Sequence, residues 1–223
     1  MKKMMFAAFA AMMMAACSQS EKGYVINGTA EGFEDGDSVI LSEAAFNADG
    51  VVVSSTVIKD GKFEFKGQPV GVKPMALVVK HGGEEVAIQT IIVEDNTVSV
   101  VLRPGEDAGT VEGGETQRLF NEFNNTLNAY IVQLEALSMN LSDSTLEETK
   151  KGEIMQQIDS LSGEMDSVGI QFIIDQMPSE FSNLVFVAPS HVLSKEKLQR
   201  LLDAFAEKQP DAPNYKKYLE ENK

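Results

Sequence analysis

Few side chains in these 223 residues have the chemistry to be more than surface or core. There is one cysteine, Cys17, and there are two histidines, His81 and His191. A lone cysteine is a reactive thiol, a metal ligand, half of an intermolecular disulfide or a point of covalent attachment. His81 precedes Gly82-Gly83 and is followed by Glu84 and Glu85. That order reads either as a His/Glu metal site or as a sheet turn with solvated charges. His191 follows Pro189-Ser190, with no carboxylate or nucleophile at a fixed spacing; a Ser–His–Asp set can still be assembled from remote positions. The acidic pairs Glu84-Glu85, Glu147-Glu148 and Glu220-Glu221 are candidate acid/base or calcium ligands, or else solvated turns. A calcium loop alternates oxygen ligands around a turn glycine. "EDGD" (34–37) and "NADG" (47–50) are too short for that and lack the distal glutamate. The glycines of "VEGGE" (111–115) suit an anion at a helix start or a flexible junction. No Gly-x-x-x-x-Gly-Lys pattern accompanies them. These patterns assign no catalytic, cofactor-binding or metal-ligating residue.

The surroundings of Cys17 are more specific. Lys2 and Lys3 precede an uninterrupted run of Met, Ala and Phe from Met4 to Met14, and Ala15 and Ala16 lead into the cysteine. A basic start, an apolar stretch and small residues at a cleavage site define an export leader. The run is too short to remain as a membrane span of roughly 20 residues. An ordinary cut after Ala16 would put bulky Met14 where a small residue is needed. Met14-Ala15-Ala16-Cys17 instead resembles a bacterial lipobox, with Met in place of the commoner Leu. That resemblance implies a thioether to diacylglycerol on Cys17 and an acylated new amino terminus. Two acyl chains give stable anchoring, at about 0.8 kcal/mol per buried methylene. The alternative is a free thiol on a secreted protein.

Cleavage before Cys17 removes Lys2 and Lys3 from the 19 basic residues, leaving 17 against 34 acidic ones and a net charge of −17. Such a chain is repelled by nucleic acid and anionic lipid, so no nucleic-acid partner is expected. With Cys17 lipidated no thiol remains, which excludes a disulfide framework and a C-x-x-C redox motif. A chain of about 200 residues buries enough core without disulfides.

The elements that must position these side chains change in character near residue 112. Runs rich in Val, Ile, Phe and Thr predict strands at 24–30, 38–42, 51–58, 62–66, 74–80, 86–93 and 97–102. Lys62-Phe63-Glu64-Phe65-Lys66 alternates strictly, which puts both rings on one face. Asp60-Gly61 predicts a two-residue turn with positive φ at both positions, and Gly82-Gly83 and Asp95-Asn96 are weaker signals of the same kind. About seven strands without intervening helices predict an antiparallel β-sandwich. From Glu115 the period becomes helical. Phe120, Phe123, Leu127, Tyr130, Leu134, Leu137 and Leu141 are spaced by three and four. Ile154, Ile158, Leu161, Met165, Val168 and Phe172 repeat that spacing. Two such seams joined by a short connection predict an antiparallel helical hairpin. Ser144 and Glu147 fit a capping box for the second helix. Gly152, Gly163 and Gly169 weaken it by up to about 1 kcal/mol each, enough to allow a break. Ser194 fits a cap for a helix carrying Leu198, Leu201, Leu202 and Phe205, and Pro213 suits the first turn of a last helix.

The expected class is α+β. The expected order is a leader over 1–16, a tether over 17–23, a β-sandwich over 24–112, a helical hairpin over 113–178 and short helices over 179–223.

"GYVINGTAEGFEDGDSVIL" (23–41) and "VIKDGKFEFKGQP" (57–69) resemble the DUF4369 domain of exported lipoproteins of Bacteroidetes. The matching positions include Tyr24, Ile26, Gly28, Gly32, Gly36, Leu41, Asp60, Gly61, Phe63, Phe65 and Gly67. "VEGGETQRLFNEF" (111–123) resembles that family's step into helices, and "FVAPSHVLSKEKLQRLLDAF" (186–205) the segment after it. In many relatives this module is followed by a thioredoxin-like domain carrying C-x-x-C. This sequence ends at Lys223 with no second cysteine, so thiol–disulfide chemistry does not carry over. The resemblance and the leader together imply a non-catalytic, lipid-anchored envelope protein without a cofactor. It is expected on the outer membrane, and on its periplasmic face because "SQSEK" after Cys17 lacks the acidic cluster of surface-exported lipoproteins. It would be an accessory module for a protein or ligand, with a separate thioredoxin-like protein as one partner. Two alternatives stand beside this reading. One is a surface nutrient- or glycan-binding lipoprotein, disfavoured by the absence of Trp and by only four Tyr; the other is an enzyme with a dispersed site.

Overall fold

The computed structural model describes residues 23–43, 51–68, 70–105, 109–143, 145–186 and 193–223. Eight strands come first among them: β1 (Tyr24–Ala30), β2 (Ser38–Ser42), β3 (Val52–Val57), β4 (Lys62–Gly67), β5 (Lys73–His81), β6 (Glu84–Val93), β7 (Thr97–Leu102) and β8 (Gly109–Glu112). Five helices follow: α1 (Glu115–Leu141), α2 (Glu148–Asp175), α3 (Glu180–Val185), α4 (Lys195–Lys208) and α5 (Pro213–Glu221). The class is α+β with the strands first, as the change in period predicts.

The strands form two four-stranded sheets, ordered β4-β1-β7-β8 and β3-β2-β5-β6. Their inner faces share one core, in which Ile26, Val98, Val100 and Leu102 of the first sheet meet Leu41, Met75, Leu77 and Ile91 of the second. Alternation sets these faces: in β4 only Phe63 and Phe65 are buried, while Lys62, Glu64 and Lys66 are exposed. The sandwich departs from the expected all-antiparallel seven strands in two ways. β8 is an eighth strand, and β1 pairs with β7 in parallel. The Asp60-Gly61 turn has φ of 51° and 66° and is closed by reciprocal bonds between Lys59 and Lys62, matching the positive-φ expectation. It nevertheless joins strands of different sheets, because β3 pairs with β2 and β4 with β1. Gly82-Gly83, with φ of 59° and 96°, closes a true hairpin between β5 and β6. Asp95-Asn96 crosses from β6 in one sheet to β7 in the other.

Two glycines of β1 and β4 are required by close approach. A Cβ at Gly28 would stand 1.9 Å from Cζ of Phe63, its register partner, and one at Gly67 would stand 2.2 Å from Cζ of Tyr24. Each ring therefore lies flat over the glycine opposite, filling core space that a side chain would otherwise take.

The helices have a second core. Phe123, Phe172 and Phe181 meet edge to face, each pair with centroids 5.6 Å apart, and Phe186 packs on Phe205 at 4.8 Å. α1 and α2 form the expected hairpin. Ser194 caps α4 by accepting from the amide of Lys197, and Pro213 opens α5. α2 is unbroken despite its three glycines. The reason is tertiary: Gly169 packs against Phe123, and the Gly163 carbonyl accepts from Nζ of Lys197 at 2.6 Å. Such contacts override propensity. The capping box is not realised as expected, since α2 starts at Glu148 with Glu147 itself as the cap; Ser144 lies outside the described residues.

Candidate functional site

The outer face of the β4-β1-β7-β8 sheet is an open concavity of about 920 Å³. Register builds its floor from two rows that run across all four strands. Glu64, Asn27, Ser99 and Glu112 make one row, and Lys62, Thr29, Val101 and Thr110 the other. Thr56 and Val57 of β3 and the stem of Lys59 bound it on one side. The floor offers hydroxyl, amide, carboxylate and ammonium groups to a polar ligand. Its hydroxyls stand beside charged groups, Ser99 opposite Glu112 and Thr29 opposite Lys62, with no histidine in the lining, and the rings of Phe63 and Phe65 point to the other face. Stacking on a sugar ring is therefore not offered there.

The "EDGD" loop brings charges together that sequence spacing separates. Oδ1 of Asp37 lies 2.7 Å from Nδ1 of His81, 44 residues away. The other oxygen of Asp37 accepts from the amide of Glu34 at 3.0 Å. Asp35 accepts from the amides of Asp60 and Gly61, fixing the Asp60-Gly61 turn. Those bonds hold both carboxyls below the usual range, Asp37 chiefly through the Glu34 amide and then through His81, and Asp35 through Gly61 and Asp60. The Asp37 hydrogen bond and charge raise His81 above its ordinary 6.5. A His–Asp pair orients an imidazole, but here it ties the tip of the β5–β6 hairpin to the β1–β2 loop. The partner of His81 is thus Asp37 and not the adjacent Glu84 or Glu85. No sequence signal links the two, because sheet register alone brings them together. Glu85 pairs instead with Lys80 at 3.4 Å.

At the "VEGGE" junction the helix start already holds an anion, the chain's own. Oε1 of Glu94 accepts from the amide of Thr116, and Oε2 accepts from Nδ2 of Asn96. A Cβ at Gly114 would stand 1.6 Å from Oε2 of Glu94, so glycine there lets the carboxylate reach the helix N-terminus. The next turn closes the sandwich edge. Gln117 accepts from the amide of Ile92 in β6 and donates to Asn121, which donates to the Val111 carbonyl in β8. β6 and β8 are edge strands of different sheets, so this relay satisfies edge groups that would otherwise stay unpaired.

The remaining acidic pairs are in surface ion pairs or solvent. Glu148 meets Lys151 at 2.7 Å and Glu221 meets Lys217 at 3.9 Å. Cys17, His191 and "NADG" lie outside the described residues. Among the described residues no group of three or more His, Cys, Asp or Glu is placed to hold a metal ion, and no helix is long and apolar enough to cross a membrane.

The most exposed apolar surface is on the hairpin. From residue 121 to residue 168 no described residue is buried, so the heptad seam between α1 and α2 is only half covered. Ile131 and Met155 are exposed beside it, and Val132 and Met139 are exposed on the far side of α1. The β3 edge is a second such place: Val51, Val52, Val53 and Val57 are exposed, and no charged residue occurs from 51 to 58.

Residues 24–120 match the family model described as a domain of unknown function, DUF4369. The matched segment runs through the eight strands and ends at Phe120 in α1, so it includes Gln117 of the closure and stops one residue before Asn121. No curated protein matches the chain.

Proposed function

We propose that this chain, whose residues 24–120 are a DUF4369 domain, is a non-enzymatic adaptor of the bacterial cell envelope. It is held to the membrane by lipid on Cys17 and presents its α1–α2 hairpin to protein partners. The observation that carries this reading is the half-covered heptad seam, unburied from residue 121 to residue 168, with Ile131 and Met155 exposed beside it. Contiguous exposed apolar surface on a water-facing protein marks an interaction site. The leader and the Met14-Ala15-Ala16-Cys17 pattern support the anchor. The organisation of relatives makes a separate thioredoxin-like protein of the outer-membrane periplasmic face one partner of interest.

The test is cross-linking of the native protein in intact membranes, followed by mass spectrometry of the linked residues. Links from Lys150 and Lys151 on α2 to an envelope protein, lost when Ile131 and Met155 are both changed to Glu, are expected. Links confined to the sandwich would overturn the reading. The polar concavity on the first sheet favours a second reading, a binder of small polar nutrients. Retention of such a compound on the purified protein, abolished by Asn27→Leu, would support it over the adaptor.

A further inference from the structure

Contacts at the base of the hairpin fix how α1 and α2 lie against each other. Phe123 meets Phe172 edge to face, and a Cβ at Gly169 would stand 3.6 Å from Phe123 and 3.8 Å from Leu127. Asn124 is therefore level with Gly169. Stepping by heptads in opposite directions from there puts Ile131 level with Ser162, and Ser138 level with Met155. Each of these six residues follows a seam residue by one position. They line one flank of the seam, because antiparallel helices set like flanks side by side. In a two-stranded coil such positions ordinarily carry Glu and Lys that pair across the seam. Here all six are uncharged, and Ile131 and Met155 are 41% and 55% exposed. Each stands across from a serine, so the flank is a groove with an apolar side chain on alternate sides.

The banks of this groove are acidic. Glu135 and Asp159 follow the seam residues Leu134 and Ile158 by one position and stand level with each other on opposite banks, both exposed. The next acid along the α2 bank, Asp166, has a cation, Nζ of Lys197 at 3.2 Å. Among the described residues Glu135 and Asp159 have none. From residue 121 to residue 168 there are nine acids and only two bases, Lys150 and Lys151, which lie together at the start of α2. Lys151 is taken up by Glu148 at 2.7 Å. Like charges on facing banks repel unless a cation lies between them.

We infer that this flank takes a single α-helix of the partner, and that the helix is basic and amphipathic. The inference rests on the adaptor reading and names the partner's chemistry. A helix is specified by the period of the floor: Leu127, Leu134 and Leu141 of α1, and Ile158 and Met165 of α2, recur every seven residues and are half-buried. The apolar stripe of the incoming helix lies on that floor between Ile131 and Met155 and completes a three-helix bundle. Lys or Arg on the two sides of its stripe reach Glu135 on one bank and Asp159 on the other. The same two carboxylates repel an acidic helix, and a second copy of this hairpin would bring acids to acids.

The experiment uses the chain from residue 17 with Cys17→Ser, which retains every described element, and two labelled peptides of about three heptads. One has Leu at the seam positions of each heptad and Lys at the flanking positions; the other has Glu in place of Lys. Fluorescence anisotropy at about 150 mM salt should show binding of the Lys peptide and none of the Glu peptide. Glu135→Gln with Asp159→Asn should weaken binding about tenfold, and Ile131→Ser with Met155→Ser by at least as much, while circular-dichroism melts stay unchanged. Glu153→Gln with Glu164→Gln removes the same charge from the opposite flank, and should leave binding within about twofold. Equal binding of the two peptides, no binding of the Lys peptide, or equal weakening by the two pairs of charge substitutions would each overturn the inference. None of these outcomes touches the adaptor reading, which stands or falls with the cross-links from Lys150 and Lys151 in native membranes.

Discussion

The amide of Ile92 donates to Oε1 of Gln117 across 2.6 Å, and both residues are buried. One side chain thereby joins the first turns of the helical half to an edge strand of the sandwich. Through Asn121 it reaches the edge strand of the opposite sheet as well.

Gln117→Leu keeps the volume but leaves the Ile92 amide without a partner. A buried unpaired donor costs about 1–3 kcal/mol. The expected loss is of that size in urea unfolding followed by circular dichroism. A variant as stable as the parent would mean that water replaces the glutamine.

Glu94 and Gly114 act as one device, since the glycine makes room for the carboxylate at the amide of Thr116. Glu94→Ala removes a capping interaction of about 1 kcal/mol. Gly114→Ala drives the carboxylate away and costs a similar amount. In a double-mutant cycle the two should be non-additive; additive losses would show that they act separately.

Gly28→Ala pushes a methyl into the Phe63 ring, which is buried. Overpacking of a filled core typically costs about 1–3 kcal/mol. Phe63→Leu in the Gly28→Ala background should recover part of that loss. Failure to recover any would point to backbone strain in place of the ring contact.

The His81–Asp37 pair predicts the pH dependence of stability. The His81 value is raised on folding, so its contribution is complete below 6.5 and fades as pH rises through the raised folded value. The Asp37 value is lowered, so its contribution is complete above 3.8 and fades as pH falls through the lowered folded value. The pair is worth most between those limits. The difference in melting temperature between parent and His81→Gln should accordingly be larger at pH 5.5 than at pH 8.5. An equal difference at both would remove the ion pair from the account.

Cys17→Ala tests the anchor. The variant is expected in the aqueous phase of a detergent partition and free of labelled palmitate. A variant that stays in membranes would require another means of attachment.

The strands were legible because a buried face imposes alternation, and β1, β2 and β7 have the predicted bounds. The Asp60-Gly61 and Gly82-Gly83 turns were legible because their positive φ restricts the residue types. The 3,4 spacing of Leu127, Tyr130 and Leu134 is likewise a one-dimensional imprint of helix geometry. β8 was missed because four residues, two of them Gly109 and Thr110, carry too little pattern to count. Which strands are neighbours was not legible either. Alternation states which side of a strand is buried, not which strand lies beside it, so the β1–β7 parallel pair and the change of sheet at Asp60-Gly61 belong to tertiary structure. The same holds for the polar contacts that join different elements at the candidate sites. Asp37 with His81, Glu94 with Thr116 and Gln117 with Ile92 join residues 22 to 44 positions apart. Local sequence determines the conformations and faces of the elements; only the packed chain decides which polar groups meet, because each must find its partner across the core that the apolar residues build.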